Sequence, residues 1–377
     1  MIKSVKIRLL PTKEQEELML KSIGCSRFAY NWALNRCNEL YQQGVKYNMS
    51  NIRKEFTQLK KQEEFKWLNE VSNTTMVESM RNLDKAFKQF FKTKQGYPKF
   101  KTKRKSRLYF YVRYDNLYFL DNICNIEKIG KVKYKTNYDI PQGRNVCKFS
   151  NPYCSFDGKY WYLSFGFEVE ENQTTLNDDL SIGIDLGIKD LAIVNCLDKP
   201  IININKTKRV KRLKRRLKRL QRQVSRKYEA NKQINKFIKT NNIIKLEKRI
   251  KLLHRKLSNI RNNHIHQATN KIIKLKPYRV VMEDLNVKGM IKNKHLAEKI
   301  VEQGFYEFIR QMKYKCEFNG IQFIQADRYF PSSKMCSCCG SIKKDLKLKD
   351  RIYKCDCGLE IDRDLNASIN LSNYGLA

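Results

Sequence analysis

The chain has 377 residues, more than one domain's worth, and its 41% hydrophobic and 11% aromatic content excludes a disordered or fibrous protein. Its 77 Lys and Arg against 38 Asp and Glu leave a net charge of +39. That excess repels itself in a compact state and points to a polyanionic partner, nucleic acid before an anionic membrane surface. No run of ~18 apolar residues exists, so no bilayer span is expected.

The opening residues lack the apolar stretch of a signal peptide and begin with a strand-like segment over 5–9. Pro11 ends it, and Thr12-x-x-Gln15 predicts a capping box and a helix. Helical periodicity dominates to about residue 94. It is clearest from Thr75, where Thr75-x-x-Glu78 reads as a second capping box and Met76, Met80, Leu83, Phe87 and Phe90 recur at spacings of 4, 3, 4 and 3. Such a stripe is a core face. Gly96-Tyr97-Pro98 breaks the helices, and strand texture follows to about residue 170. Basic residues over 99–107 lead into Tyr109, Phe110 and Tyr111, and Trp161, Leu163, Phe165, Phe167 and Val169 alternate with period two. A small, basic, barrel-like β-domain fits, and the acidic, polar stretch 168–179 reads as a linker.

From residue 181 the pattern is mixed α/β. Short strands are predicted over 181–185, 191–194 and 201–204. A very basic helical stretch follows, with Val210, Leu213, Leu217, Leu220 and Val224 at alternating spacings of 3 and 4. After a polar break at Asn241-Asn242, Leu246, Ile250, Leu253, Leu257 and Ile260 repeat the alternation, so two antiparallel helices with a coiled-coil-like seam are expected. A strand over 280–283, a helix over 297–318, a strand over 321–325, a cysteine cluster and a last helix from about Leu365 complete the chain.

Three acids stand where strand or helix ends would aim them at one spot. Asp185 closes the apolar strand Ile182-Gly-Ile-Asp, Glu283 closes Val280-Val-Met-Glu, and Asp364 begins the last helix. A buried strand that ends in a carboxylate needs a partner for the charge. Mg²⁺ fits, because hard cations take oxygen ligands and two ions ~4 Å apart can drive phosphodiester cleavage. Asp362 is a local rival of Asp364, more suited to backbone hydrogen bonds, and Asp284 should point away from Glu283 if the strand end keeps its alternation. Only four histidines are present, which disfavours a histidine-rich hydrolytic site.

Five of the twelve cysteines fall between positions 336 and 357. Cys336-x₂-Cys339, fifteen residues, then Cys355-x-Cys357 is close to a four-cysteine zinc ribbon holding one structural Zn²⁺. The second knuckle is one residue short, and Cys338 is a spare thiol that could replace Cys339. Cys25, Cys37, Cys124, Cys147, Cys154, Cys196 and Cys316 are expected as buried or free thiols of a reducing cytoplasm. Along the basic helix, Lys211, Arg212, Arg215, Arg216 and Arg219 surround the leucine seam as expected of a helix laid along phosphates.

The motifs GIDLGIKDLAIVN, VVMEDLNVKGM, DRYFPSSKMCSCCG and CDCGLEIDRDLNASINL resemble the TnpB (OrfB) family of insertion-sequence proteins, RNA-guided nucleases related to type V CRISPR effectors. The N-terminal IRLLPTKEQ, GCSRFAYNWAL and GYPKFKTK segments are similar to the same family. The resemblance implies an α/β multidomain protein: a RuvC-like, RNase H-type nuclease domain (180–330 and 361–377) with an inserted zinc ribbon (331–360). Before it come a β-barrel wedge domain (1–10 and 95–172) and a helical, helix–turn–helix-like recognition domain (11–94). Asp185, Glu283 and Asp364 match the family's catalytic carboxylates. The function implied is a transposon-encoded, Mg²⁺-dependent DNA endonuclease that cuts DNA matched to a guide RNA beside a short adjacent motif. A non-cleaving nucleic-acid-binding regulator and a strand-transferring transposase are the alternatives. Guide RNA and target DNA are the expected partners of a monomer in a prokaryotic, cytoplasmic ribonucleoprotein.

Overall fold

The computed structural model describes residues 1–103, 106–170, 175–234, 236–347 and 350–376. The basic lead at 104–105, the linker at 171–174 and positions 348–349 of the expected zinc ribbon lie outside the described residues. The chain forms two compact units, Met1–Glu170 and Glu171–Ala377.

The first unit runs β1 (Ile2–Leu10), α1 (Lys13–Gln42), α2 (Met49–Leu59), α3 (Asn73–Thr93), β2 (Tyr109–Tyr111), β3 (Tyr118–Leu120), β4 (Ile123–Ile126), β5 (Gly130–Lys135), β6 (Ser150–Phe156) and β7 (Trp161–Glu168). Thr12 caps α1 reciprocally: the Gln15 N–H donates to its hydroxyl (3.3 Å) and the Thr12 N–H donates to Gln15 Oε1 (3.0 Å). The second capping box is absent. The helix there starts earlier, behind Ser72, and buried Thr75 donates its hydroxyl to the Tyr111 carbonyl (2.8 Å). All seven strands form one sheet in the order β2-β6-β7-β1-β5-β4-β3. Its two end strands are three residues long and do not pair, so the expected barrel is an open half-barrel. Val5, Ile7, Leu9, Leu163, Phe165 and Phe167 fill its inner face with Met19 and Ile23 of α1. Further along α1, Ala29, Ala33 and Leu34 enter a second core with Ile52, Met76, Met80 and Leu83.

The second unit runs β8 (Asn177–Leu186), β9 (Ala192–Val194), α4 (Lys208–Ala230), β10 (Lys232–Gln233), β11 (Lys236–Phe237), α5 (Asn241–Ile273), β12 (Pro277–Glu283), α6 (Val287–Ile291), α7 (Lys294–Gln303), α8 (Phe305–Phe318), β13 (Gln322–Ala326), β14 (Ile352–Lys354), β15 (Glu360–Asp362) and α9 (Arg363–Ser372). The main sheet has the order β13-β12-β8-β9. Its β8–β12 and β12–β13 pairs are parallel and β8–β9 is antiparallel. Parallel neighbours need long crossovers, which α4–α5 and α6–α8 supply. One face of the sheet, with Ile182, Ile184, Val280 and Met282, is covered by Ile265, Phe305, Phe308 and Met312. The other, at Val281 and Ala326, is covered by Leu371 of α9.

Three expectations change here. The strand over 201–204 is a single bridge from Ile201 to Ala192, because Asn203 turns the chain by accepting the Asn205 N–H and starts a short 3₁₀ turn. The helix over 297–318 is two helices, α7 and α8, separated by Gly304 in the left-handed region (φ 72°). The sheet strand starts at Asn177, so the end of the supposed linker is ladder. The basic hairpin is α4 packed on α5, with Val210, Leu220, Leu253 and Leu257 buried. No helix among the described residues is long and apolar enough to cross a membrane.

Candidate active site

Ile184 on β8 pairs with Met282 on β12, and the next residue on each parallel strand is a carboxylate, Asp185 and Glu283. Strand alternation puts Asp185 on the face of Gly183, and Glu283 on the face of Val281. That is the face covered by α9. At Gly183 the reason for glycine is steric: a Cβ would lie 1.9 Å from the Ser368 carbonyl oxygen and 2.4 Å from the Ser372 nitrogen. The helix backbone therefore rests directly on the strand. Its far end is pinned as well. Buried Arg279 donates from Nε to Ser181 Oγ (2.8 Å) and from Nη2 to the Ser372 carbonyl (2.5 Å), which also accepts the Ser181 hydroxyl (2.6 Å). A cation at the carbonyl end of a helix is favourable, as is an acid at its N-terminus. Asp364 occupies that N-terminus, in the first turn of α9.

The neighbouring acids have other partners. Asp362 caps α9, its Oδ1 accepting the N–H groups of Asp364 (3.0 Å) and Leu365 (3.1 Å). Asp284 accepts from Arg328 Nη2 at 2.5 Å. Glu283 accepts the hydroxyl of buried Ser332, and Asp364 lies 3.7 Å from Arg351 Nη1. Burial, then the charges of Glu283 and Asp364, push Asp185 up to about 8, against a weaker opposing effect of Arg363. The three carboxylates thus sense one another.

Among the described residues, only Cys336, Cys339, Cys355 and Cys357 bring one ligand atom each within 4.8 Å of all the others. Among the described residues, the oxygens of Asp185, Glu283 and Asp364 do not all come that close to one another. The sulfur atoms of Cys336 and Cys357 are 3.6 Å apart, as are those of Cys339 and Cys355. Four thiolates tetrahedral around zinc, at ~2.3 Å, would stand about 3.8 Å apart, so the cluster fits a zinc site. Hydrogen bonds from Ser341 bring the Cys339 thiol down to about 6. Cys338 is exposed and lies outside the cluster. Of the remaining cysteines, Cys25, Cys37, Cys124, Cys154 and Cys316 are buried, Cys147 is half-buried and Cys196 is exposed, all as free thiols.

Sequence reasoning missed what joins the two groups. Asn366, fully buried on α9, donates to the Met335 carbonyl (2.7 Å) and accepts the Ser337 N–H (3.0 Å). One turn later Asn370 donates to the carbonyls of Ser332 (2.7 Å) and Met335 (2.6 Å). The helix that carries Asp364 therefore grips both sides of Cys336 and the backbone of Ser332. The one available signal was the i, i+4 spacing of two asparagines inside the DRDLNASIN motif.

Lys211, Arg212, Arg215, Arg216 and Arg219 are all exposed on α4. None of the five has an ion pair among the described residues, whereas Lys214 between them pairs with Glu302.

Three family profiles match the chain. The "Helix-turn-helix domain" of the OrfB/IS605 group covers residues 1–46, the OrfB/IS605 "Probable transposase" region covers 164–294, and the "Cas12f1-like, TNB domain" covers 305–371. A "Putative RNA-guided DNA endonuclease" of Streptomyces pristinaespiralis is 30% identical over 380 residues, spanning 100% of this chain and 90% of that protein. The "Putative RNA-guided DNA endonuclease InsQ" of Escherichia coli K12 is 27% identical over 396 residues, spanning 100% and 93%. Among solved structures, the Cas12f1 chain of a Cas12f1–sgRNA–target DNA complex superposes with a TM-score of 0.58 at 13% identity, over 99% of each chain. That likeness is one of fold.

Proposed function

The chain belongs to the TnpB (OrfB) family of transposon-encoded RNA-guided DNA endonucleases, and from that premise we propose that its second unit hydrolyses DNA phosphodiester bonds at Asp185, Glu283 and Asp364. What supports the proposal is that Asp185 and Glu283 end adjacent parallel strands on the face covered by α9, whose first turn carries Asp364, and that burial, then the charges of Glu283 and Asp364, raise Asp185 to about 8. In this reading the unit is RuvC-like and RNase H-type, with Cys336, Cys339, Cys355 and Cys357 holding a structural zinc in an inserted ribbon. The first unit comprises the wedge and recognition domains.

The donor set suits magnesium: three carboxylates, no thiolate, and an adverse charge that a dication relieves. Bound there, Mg²⁺ would supply an activated water and stabilise the leaving oxygen. The protein's own part is positional. Gly183 lets α9 approach, Arg279 fixes its end, and Ser332 holds one oxygen of Glu283. Guide RNA and target DNA are the proposed partners, with Lys211, Arg212, Arg215, Arg216 and Arg219 on phosphates.

Incubating the ribonucleoprotein with guide-matched DNA tests this. Cut ends that depend on Mg²⁺, and vanish in Asp185→Ala, Glu283→Ala or Asp364→Ala with binding retained, are expected. Joined products would identify a transposase, and intact DNA a regulator.

A further inference from the structure

A cleft of about 530 Å³ opens on the surface of the first unit between α1 and the 3₁₀ turn Glu63–Glu70. Gly24, Arg27, Phe28 and Trp32 of α1 line it, with Trp67 opposite. Gly24 is anomalous. A glycine inside a helix costs about 1 kcal/mol relative to alanine, yet a Cβ at Gly24 would meet nothing within 4 Å. Packing does not require the glycine, and its effect is to keep the cleft open. The walls are aromatic and only partly covered. Trp67 is 42% exposed, edge-on to Phe28 at 5.4 Å, and Trp32 stands 5.1 Å from Phe56 behind it.

Arg27 is the charged residue among those that line the cleft, and the acids of the adjoining turn, Glu63, Glu64 and Glu70, are not among them. Arg27 has no carboxylate partner among the described residues. It also lines a second recess, of about 230 Å³, together with Lys101 and Arg107. Among the described residues, neither recess is lined by an acid. An aromatic slot with cations on one flank matches a nucleotide: the base stacks, and the phosphate faces the cations. We propose that this cleft takes one unpaired nucleobase of a single strand, stacked on the exposed face of Trp67 with Phe28 at its edge, and with Arg27 on its phosphate. The proposal rests on the nucleic-acid reading above and extends it to a site apart from the carboxylates.

The test uses the full chain with single-stranded RNA and DNA oligomers carrying 5-iodouracil, and with duplex DNA as control. Photo-crosslinks should map to the peptides of Trp67 or Phe28, and the RNA and DNA arms identify which strand supplies the base. Gly24→Leu, which fills the cleft, should weaken single-strand binding about fivefold or more and leave duplex binding unchanged. Should that variant misfold, Trp67→Leu and Arg27→Gln provide the same comparison. Crosslinks that map elsewhere, or equal weakening for single and double strands, would overturn the proposal. Asp185→Ala should keep the crosslink, so failure of the nuclease reading and failure of the cleft are seen separately.

Discussion

At Asp185 the folded carboxyl is raised to about 8 from an ordinary value of 3.8. Between those values the folded chain binds more protons than the unfolded one, so metal-free protein should lose stability as pH rises from about 4 to about 8. Asp185→Asn never charges and escapes that loss. In chelator, thermal unfolding of the two proteins should coincide near pH 4 and separate by several degrees at pH 8, the variant melting higher. Parallel curves would show that folding leaves the Asp185 carboxyl at its ordinary value. Its neighbour two residues before Asp364 behaves differently. Asp362→Ala removes a helix cap, at a cost of about 1 kcal/mol, and should keep much of the cleavage that Asp364→Ala abolishes. Among the thiols, Cys338→Ser should leave one zinc per chain after dialysis against a weak chelator. A drop in that stoichiometry would make Cys338 a ligand.

Among the elements, α9 rests its backbone on β8 at Gly183, and Gly183→Ala tests that contact. The added methyl would sit 1.9 Å from the Ser368 carbonyl, so strand or helix must shift, at a typical overpacking cost of ~1–3 kcal/mol. Cleavage should fall at least tenfold while zinc content stays at one equivalent. Wild-type cutting by a folded Gly183→Ala would mean that α9 need not lie against β8. The basic helix α4 makes the opposite case, exposed on its polar face and held by a thin apolar seam. Glutamine at Arg212, Arg215, Arg216 and Arg219 keeps helix propensity and should reduce the slope of log K against log salt by roughly 0.7–0.9 per lost phosphate contact. An unchanged slope would place the nucleic acid elsewhere and leave α4 as a solvated face.

Across the whole molecule, what the sequence reveals is what short patterns encode. The order of Asp185, Glu283 and Asp364, the cysteine spacing and the Thr12 cap are local, and each can be read without tertiary contacts. The half-barrel is not local, since closure depends on whether β2 and β3 are long enough to pair. Gly304 escapes notice because Ile300, Phe305, Phe308 and Met312 all face the same core on both sides of the break. Asn366, Asn370 and Ser332 look like ordinary polar residues until the fold brings the cysteine knuckle beneath α9. That placement also sets an order of assembly. The Ser181–Ser372 bond that seats α9 joins residues 191 positions apart, so a chain emerging from the ribosome exposes its basic hairpin long before its third carboxylate. On the proposed reading, a chain stopped before residue 364 carries the basic hairpin without the third acid, and should bind nucleic acid without cutting it.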